Sequence, residues 1–411
     1  MKTLIFLLLL APVALAQQPT TWQHLSTETG DLEVPGPSQQ QTAALVTDLN
    51  GDGLNDLVVA CRQKAPALVW YERQPKGGWQ RRVIEPALLT IEAGGAAHDV
   101  DGDGDLDLIF GGDWQSREVW WFENPGTLNA KPETLNWQRH VIKAAGNTQH
   151  HDQIVGDFKQ TGKPQVVFWN QGSKTLYLAD IPADPKGKWR FEPVFSGEAG
   201  EKSSWYAEGL AKADVDGDGH VDLLGGNYWF KFQKSTGAFR PVRVGEQGGR
   251  IGVGQFKPGK IPQIVISPGD GKGRLMFYEF TGNPGVDSPE DSTKWRGRDL
   301  LGREMIHGHT LEVADLDGDG HLDLFAAEMA KWHETQEQPD NPAAEALIFY
   351  GDGNGNFRKE VFKTGWDFHE GRLADLDGDG DLDIFCKPYT WKAPRLDVWL
   401  QNGTGASARK K

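Results

Sequence analysis

Short apolar runs rich in Val, Ile, Leu, Trp and Phe recur along nearly the whole chain, set apart by polar stretches of Gly, Asp, Asn and Pro. Between residues 43 and 85 they read AALVTD, LNDLVVA, ALVWYER and WQRRVIE. Each is the length of a strand, aromatic and β-branched in composition, and bounded by turn formers. The last two return as VWWFENPG with WQRHVI, LYLAD with WRFEPV, LMFYEF with WRGRDL, and LIFYGDGNGN with FRKEVF. No stretch sustains a helical period over the length a helix needs. The pattern predicts an all-β chain built from repeated units of four short strands.

Between the first and second strand of a unit stands a nine-residue acidic loop, written five times: DLNGDGLND, DVDGDGDLD, DVDGDGHVD, DLDGDGHLD and DLDGDGDLD. Positions 1, 3, 5 and 9 hold Asp48, Asn50, Asp52 and Asp56; Asp99, Asp101, Asp103 and Asp107; Asp214, Asp216, Asp218 and Asp222; Asp315, Asp317, Asp319 and Asp323; and Asp375, Asp377, Asp379 and Asp383. Oxygens at alternate positions, turned inward by Gly at 4 and 6, are how a short loop wraps a hard cation, so up to five structural Ca²⁺ ions are expected. An EF-hand would need a bidentate Glu at position 12; here that position is Val59, Phe110, Gly225, Ala326 or Cys386. The plain alternative, an Asp/Gly turn without metal, loses ground with every copy.

Loop spacing sets the architecture. The first Asp falls at 48, 99, 214, 315 and 375, and the gaps of 115 and 101 are about twice those of 51 and 60. A degenerate unit therefore belongs in each long gap: IVGDFKQTGKPQVVFW, with its loop starting at Asp157, and VGQFKPGKIPQIVIS, starting at Gln255. Seven units of 41 to 60 residues lie in the range of propeller blades or solenoid repeats. The last unit ends at LDVWLQN without a fourth strand, while a surplus strand, WQHLST, precedes the first. A ring closed by the N-terminal strand accounts for both ends. The expected fold is a seven-bladed β-propeller of four-stranded blades over residues 17–402.

The DLDGDGxxDLxxA repeats resemble the FG-GAP/VCBS-type propeller repeats of secreted and cell-surface proteins. The finer pattern WFENPG…WQRHVI…H…DVDGDG is similar to the propeller part of aldos-2-ulose dehydratases, whose second, cupin-like half has no room here. That family resemblance implies the fold and calcium, and spans adhesins, integrin-type heads and carbohydrate-active lyases.

Residues 1–16, MKTLIFLLLLAPVALA, carry a basic start, an apolar core and small residues before Gln17, the form of a cleaved signal peptide. A secreted or periplasmic protein is expected, with a basic, disordered tail over 403–411 and no membrane span. A net charge of −15 argues against nucleic acid as a partner. Cys61 and Cys386 fall in the first and last units, which a ring makes neighbours; a disulfide and two buried thiols both remain open.

Aligned on the loops, the residues six before each first loop position are Thr42, Ala93, His151, Glu208, Gly249, His309 and His369. They open the channel-lining strands at the mouth away from the loops. His151, Glu208, His309 and His369 in one register suit an axial Zn, Mn or Fe ion; bonding to strand-end carbonyls is the bland alternative. Oligogalacturonate lyases offer a family-level likeness in a His-held axial metal. Loops between second and third strands bring Trp114, Asn170, Tyr228, Trp332, Lys387 and Trp391 to the same mouth, a mixture of aromatic and polar groups suited to a sugar. The insert from Glu328 to Ala346 is long enough for a lid. The expected activity is a carbon–oxygen lyase or dehydratase acting on a keto-sugar or uronic-acid derivative, with His307 as base, Tyr389 as acid and Arg250 on a carboxylate or enolate. The alternative is a non-catalytic propeller that binds a glycan or a protein at the same mouth.

Overall fold

The computed structural model describes residues 20–126, 136–197, 207–283, 285–331 and 337–403; the leader and the residues after 403 lie outside them. Seven antiparallel four-stranded sheets form the blades of a propeller. Their innermost strands are Gln41–Thr47, Ala96–His98, His150–Gly156, Leu210–Ala213, Arg250–Gly254, Thr310–Ala314 and His369–Ala374, blades 1 to 7 in chain order. The two units inferred from spacing alone are blades 3 and 5. Among the described residues the helical content is one 3₁₀ turn, Ser292–Lys294.

Blade 7 draws its outer strand from the other end of the chain, as the incomplete last unit required. Thr21–Ser26 pairs antiparallel with Asp397–Asn402, from Thr21 opposite Asn402 to Ser26 opposite Asp397. The ring therefore has no open seam, which is how a propeller avoids a long exposed sheet edge.

Alternation along each strand sends apolar side chains to both faces of a blade, and the buried residues fall into seven clusters, one in each seam between neighbours. Trp70, Trp120, Trp121 and Trp399 fill seams, as their places in strands suggested; so does Trp229, which is fully buried between blades 4 and 5. Cys61 faces the seam between blades 7 and 1, and Cys386 the seam between 6 and 7. They point the same way around the ring and remain two free, buried thiols, with burial pushing Cys61 up to about 12.

One element has no counterpart in the repeat. After its second strand, blade 5 sends out a ribbon, Gly269–Gly273 paired with Met305–Gly308, over the mouth opposite the acidic loops.

Candidate functional site

Three of the four residues predicted to share the axis do meet. His151, Glu208 and His309 are almost fully buried, and one ligating atom from each lies within 4.8 Å of the others. Glu208 Oε2 is 3.7 Å from His151 Nε2 and 3.4 Å from His309 Nε2. A carboxylate stands on the far side of each ring: Asp152 Oδ2 is hydrogen-bonded to His151 Nδ1 at 2.8 Å, and Glu370 Oε1 lies 3.4 Å from His309 Nδ1 as an ion-pair contact without hydrogen-bond geometry. Two imidazoles flanked by carboxylates at Nδ1, His151 by a hydrogen bond and His309 by an ion-pair contact, face one carboxylate with Nε2, which is the orientation a metal-binding histidine needs. Burial works against charge on these rings, yet Glu208 and Glu370 outweigh it at His309, raising it to about 10, and Asp152 and Glu208 raise His151. Without a metal the rings therefore hold protons against the carboxylates that a bound ion would displace.

Those bracing carboxylates depend on an unusual backbone. The inner strands of blades 3 and 7 bulge between His151 and Gln153 and between His369 and Arg372. Asp152 and Glu370 adopt left-handed φ values of 49° and 55°. Such backbone costs energy in a residue with a β-carbon and is held here by the ionic contacts around it. Glu208 needs a glycine instead. A β-carbon on Gly269 would fall 1.4 Å from Glu208 Oε1, and the amide of Asp270 next door donates to that oxygen at 2.9 Å. Gly269→Ala should displace the carboxylate and cost the site its third donor while the blades stay intact. Circular dichroism and melting alongside metal titration would check it, and unaltered metal affinity would refute the placement.

His369 is not the fourth member. Its ring stacks on His309 at 4.4 Å, and its Nδ1 accepts from Lys387 Nζ at 2.8 Å. A neutral imidazole that accepts at Nδ1 carries its proton on Nε2 and has no lone pair left for a metal. Burial, then the charge of Lys387, keeps it well below the usual imidazole range. Lys387 is itself buried, lowered to about 8 by that burial, and also donates to Gln41 O.

Arg250 is likewise committed. Its guanidinium bonds Asp152 at 2.6 Å and Glu370 at 3.2 Å, in a layer continued by Arg372, which pairs with Glu370 and with Glu312 at 3.2 Å. With two carboxylates on its guanidinium, Arg250 positions those acids. This layer also separates the mouth from a cavity of about 360 Å³ lower in the channel, lined by Leu45, Lys212, Val253 and Val313 among others.

Above the histidines, the ribbon contributes His307 and Asp270. His307 Nδ1 donates to Asp270 O at 2.6 Å, which leaves Nε2 with its lone pair. The cleft setting opposes ionisation of Asp270, but Lys331, His309, His151 and His307 outweigh it and hold the acid at about 2. Tyr389 packs on His369 at 4.9 Å, and Arg62 donates to its phenol oxygen. Arg62 pairs with Glu92 at 3.0 Å and lies 4.5 Å over the ring of Trp114, which is 51% exposed.

The other predicted substrate contacts fare differently. Asn170 is buried and spent on its own turn, donating to Asn147 O and Thr148 O and accepting from Ser173. Tyr228 packs on Phe195 and Phe230 between blades 3 and 4. Trp391 is half-buried, its amide bonded to Asp367. Trp332 lies outside the described residues, as does part of the proposed lid. His150 is buried against Lys143, away from the cluster. The sequence pattern marks neither Asp270 nor Glu92; Arg62 has a signal, as a cation heading the loop after a second strand.

At the far end of the channel the acidic loops share one geometry. The position-9 Asp accepts the position-2 amide (Asp56 from Leu49, Asp107 from Val100, Asp222 from Val215, Asp323 from Leu316, Asp383 from Leu376) at 2.7 to 3.1 Å. In the degenerate loops Gln165 and Gln263 stand at position 9; Gln263 accepts from Phe256 and Gln165 from Lys159. Position 9 is thus a pin for the hairpin, with or without a metal.

Residues 315–386 match the model of the FG-GAP-like repeat family, which bears out the repeat resemblance. A comparison with curated protein sequences gives no match. Among solved structures the chain is similar to the rhamnogalacturonan lyase YesW, with 13% identity over 95% of this chain and 75% of that one and a TM-score of 0.45. A Bacillus licheniformis rhamnogalacturonan lyase, PL11, gives 13% over 89% and 72%, with a TM-score of 0.42. The V. cholerae biofilm matrix protein Bap1 gives 11% over 88% and 88%, with a TM-score of 0.41. Likeness this remote assigns no activity to this chain.

Proposed function

We propose that the protein is an exported, calcium-stabilised propeller whose histidine-ringed mouth is the active site of a carbon–oxygen lyase, dehydratase-like, acting on a keto-sugar or uronic-acid derivative. The observation that carries this reading is the pair of carboxylate-braced histidines aimed at Glu208. His151 Nε2, His309 Nε2 and a Glu208 oxygen form the two-imidazole, one-carboxylate donor set that suits Zn, Mn or Fe and leaves positions for substrate. Bound there, a divalent ion would polarise a substrate carbonyl or carboxylate and acidify the neighbouring C–H. His307 offers Nε2 to take that proton, its ring fixed by the bond to Asp270 O. Tyr389 keeps its O–H free to protonate the leaving hydroxyl, because Arg62 donates to the oxygen. Lys331, over the Tyr389 ring, supplies positive charge for an acidic sugar, and the exposed face of Trp114 offers a stacking surface.

The test is metal analysis of purified protein, followed by a panel of keto-sugars and uronides watched for the ultraviolet absorbance of a conjugated elimination product. His307→Ala and Tyr389→Phe should each abolish turnover while metal content stays at the wild-type level. A half-exposed Trp114 over Arg62 also fits a binding module. That second reading predicts ligand affinity that falls with Trp114→Ala, no product on any sugar, and no stoichiometric axial metal.

The acidic loops have the oxygen-only donors that Ca²⁺ takes. Each ion stabilises the folded ring by about 2.7 kcal/mol at a hundredfold excess over its dissociation constant. EGTA should therefore lower the melting temperature, and Asp317→Ala or Asp377→Ala should do so in part. Melting unchanged by chelation would sink the calcium assignment. Export rests on the leader Met1–Ala16. Among the described residues no helix is long and apolar enough to cross a membrane.

A further inference from the structure

The blade 4 loop, Asp214 to Asp222, already contains a cation. Lys231 comes from the facing strand Tyr228–Gln233, and its ammonium lies 2.8 Å from Asp216, 2.5 Å from Asp218 and 3.6 Å from Asp222. The side chain is nine-tenths buried, and although burial opposes its charge, those carboxylates outweigh it and raise Lys231 further above the usual lysine range. An ammonium among the oxygens that would surround a calcium ion is both a stand-in for that ion and an obstacle to it.

Its neighbours solve the same problem with the charges exchanged. In blades 3 and 5 the lysine stands in the loop, at position 3, and the acid stands on the facing strand. Lys159 bonds Asp180 at 3.2 Å and Glu192 at 2.5 Å, and Lys257 pairs with Glu279. Asp180 faces Gln165 directly, and Glu279 and Lys231 hold the same place one step past the pairs Ile264–Tyr278 and Leu223–Phe230. At that place blades 1, 2, 6 and 7 have Glu72, Glu123, Tyr350 and Leu400, none of them able to supply a cation. Three consecutive blades thus carry an ammonium in contact with carboxylates at the loop, whereas the blade 7 loop feels Arg73 of blade 1 by charge alone. The other four are also consecutive, running through the seam that Thr21–Ser26 closes.

We infer that calcium holds only this second arc of the ring, blades 6, 7, 1 and 2, and that Lys231 replaces the fifth ion expected from the sequence. This rests on the calcium reading of the remaining loops. A coulombic basis is enough: a fixed ammonium repels an incoming divalent ion and occupies its oxygens, and it cannot be removed by a chelator.

The experiment counts calcium per chain by native mass spectrometry and equilibrium dialysis, and follows hydrogen exchange with and without EGTA. Wild type should hold four ions and Lys231→Met five. In wild type, chelation should speed exchange in Asp56–Cys61, Asp107–Gly111, Asp323–Ala327 and Asp383–Lys387, and leave Gln165–Asn170, Asp222–Gly225 and Gln263–Ser267 unchanged. Lys231→Met should move Asp222–Gly225 into the chelator-sensitive group. Five ions on the wild type, or a blade 4 as sensitive to EGTA as blade 6, would overturn the inference and leave calcium binding standing. No calcium on either protein would overturn both. If Lys231→Met fails to fold, the wild-type exchange map decides alone.

Discussion

A chain that begins at Asp31 should not melt as the full propeller does. Removing Thr21–Ser26 strips the outer strand from blade 7 and leaves Asp397–Asn402 as an unpaired edge. More than backbone pairing goes with it. Trp22 packs edge-on against Phe362, His24 stacks on Trp399 at 4.8 Å and bonds Asp397 at 3.0 Å, and Ser26 Oγ donates to Leu396 O. Because blade 7 also forms the seams with blades 6 and 1, the loss spreads beyond one strand. We expect a cost on the order of the 5–15 kcal/mol that stabilises a typical domain, seen as aggregation on size exclusion and loss of a cooperative transition. Adding the missing segment as a separate peptide should restore part of the transition, since the edge it pairs with is specific in register. Wild-type melting in the truncated chain would refute closure by this strand.

What the chain disclosed in advance, and what it hid, follows from how far apart the interacting residues lie. Strand lengths, the acidic loops, the two degenerate units and the shared closing blade are written in local runs and regular spacings. So is the register that brings His151, Glu208 and His309 to one height, because every inner strand starts from a loop of known position. Direction is another matter. Two strands at equal register differ when one bulges: Asp152 and Glu370 take left-handed backbone, brace the histidines, and tie up Arg250, which on register alone looked free for substrate. His369 shares the register, but its Nδ1 is claimed by Lys387, 18 residues on in the same blade. The ribbon that carries Asp270 and His307 pairs across about 35 residues outside the repeat, and nothing periodic announced it. Lys231 illustrates the limit from the other end: five nearly identical loops invite five identical ions, while the residue that excludes one sits on another strand.

Replacing members of the axial cluster should separate ligands from their supports, and the structure changes which residue belongs to which group. His151→Ala, Glu208→Gln and His309→Ala each remove a donor from a three-donor set. Each should therefore lose the axial metal and, with it, turnover on whatever sugar the panel identifies. The calcium content and the fold should be unaffected, because the acidic loops lie at the opposite end of the channel. Asp152→Asn and Glu370→Gln act one step out. They weaken the hold on His151 Nδ1 and His309 Nδ1, and supports of this kind typically cost about 10–100-fold in metal affinity or activity when altered. His369→Asn should keep the metal, since the ring it removes offers no lone pair, while turnover falls through the lost packing of Tyr389. A ligand set containing His369, as register alone suggests, predicts the reverse: loss of metal in His369→Asn equal to that in His309→Ala. Inductively coupled plasma analysis of the six variants after expression in metal-supplemented medium reads the difference directly. Wild type free of transition metal, with His151 and His309 still braced by Asp152 and Glu370, would assign the cluster to hydrogen bonding and decide for the binding module.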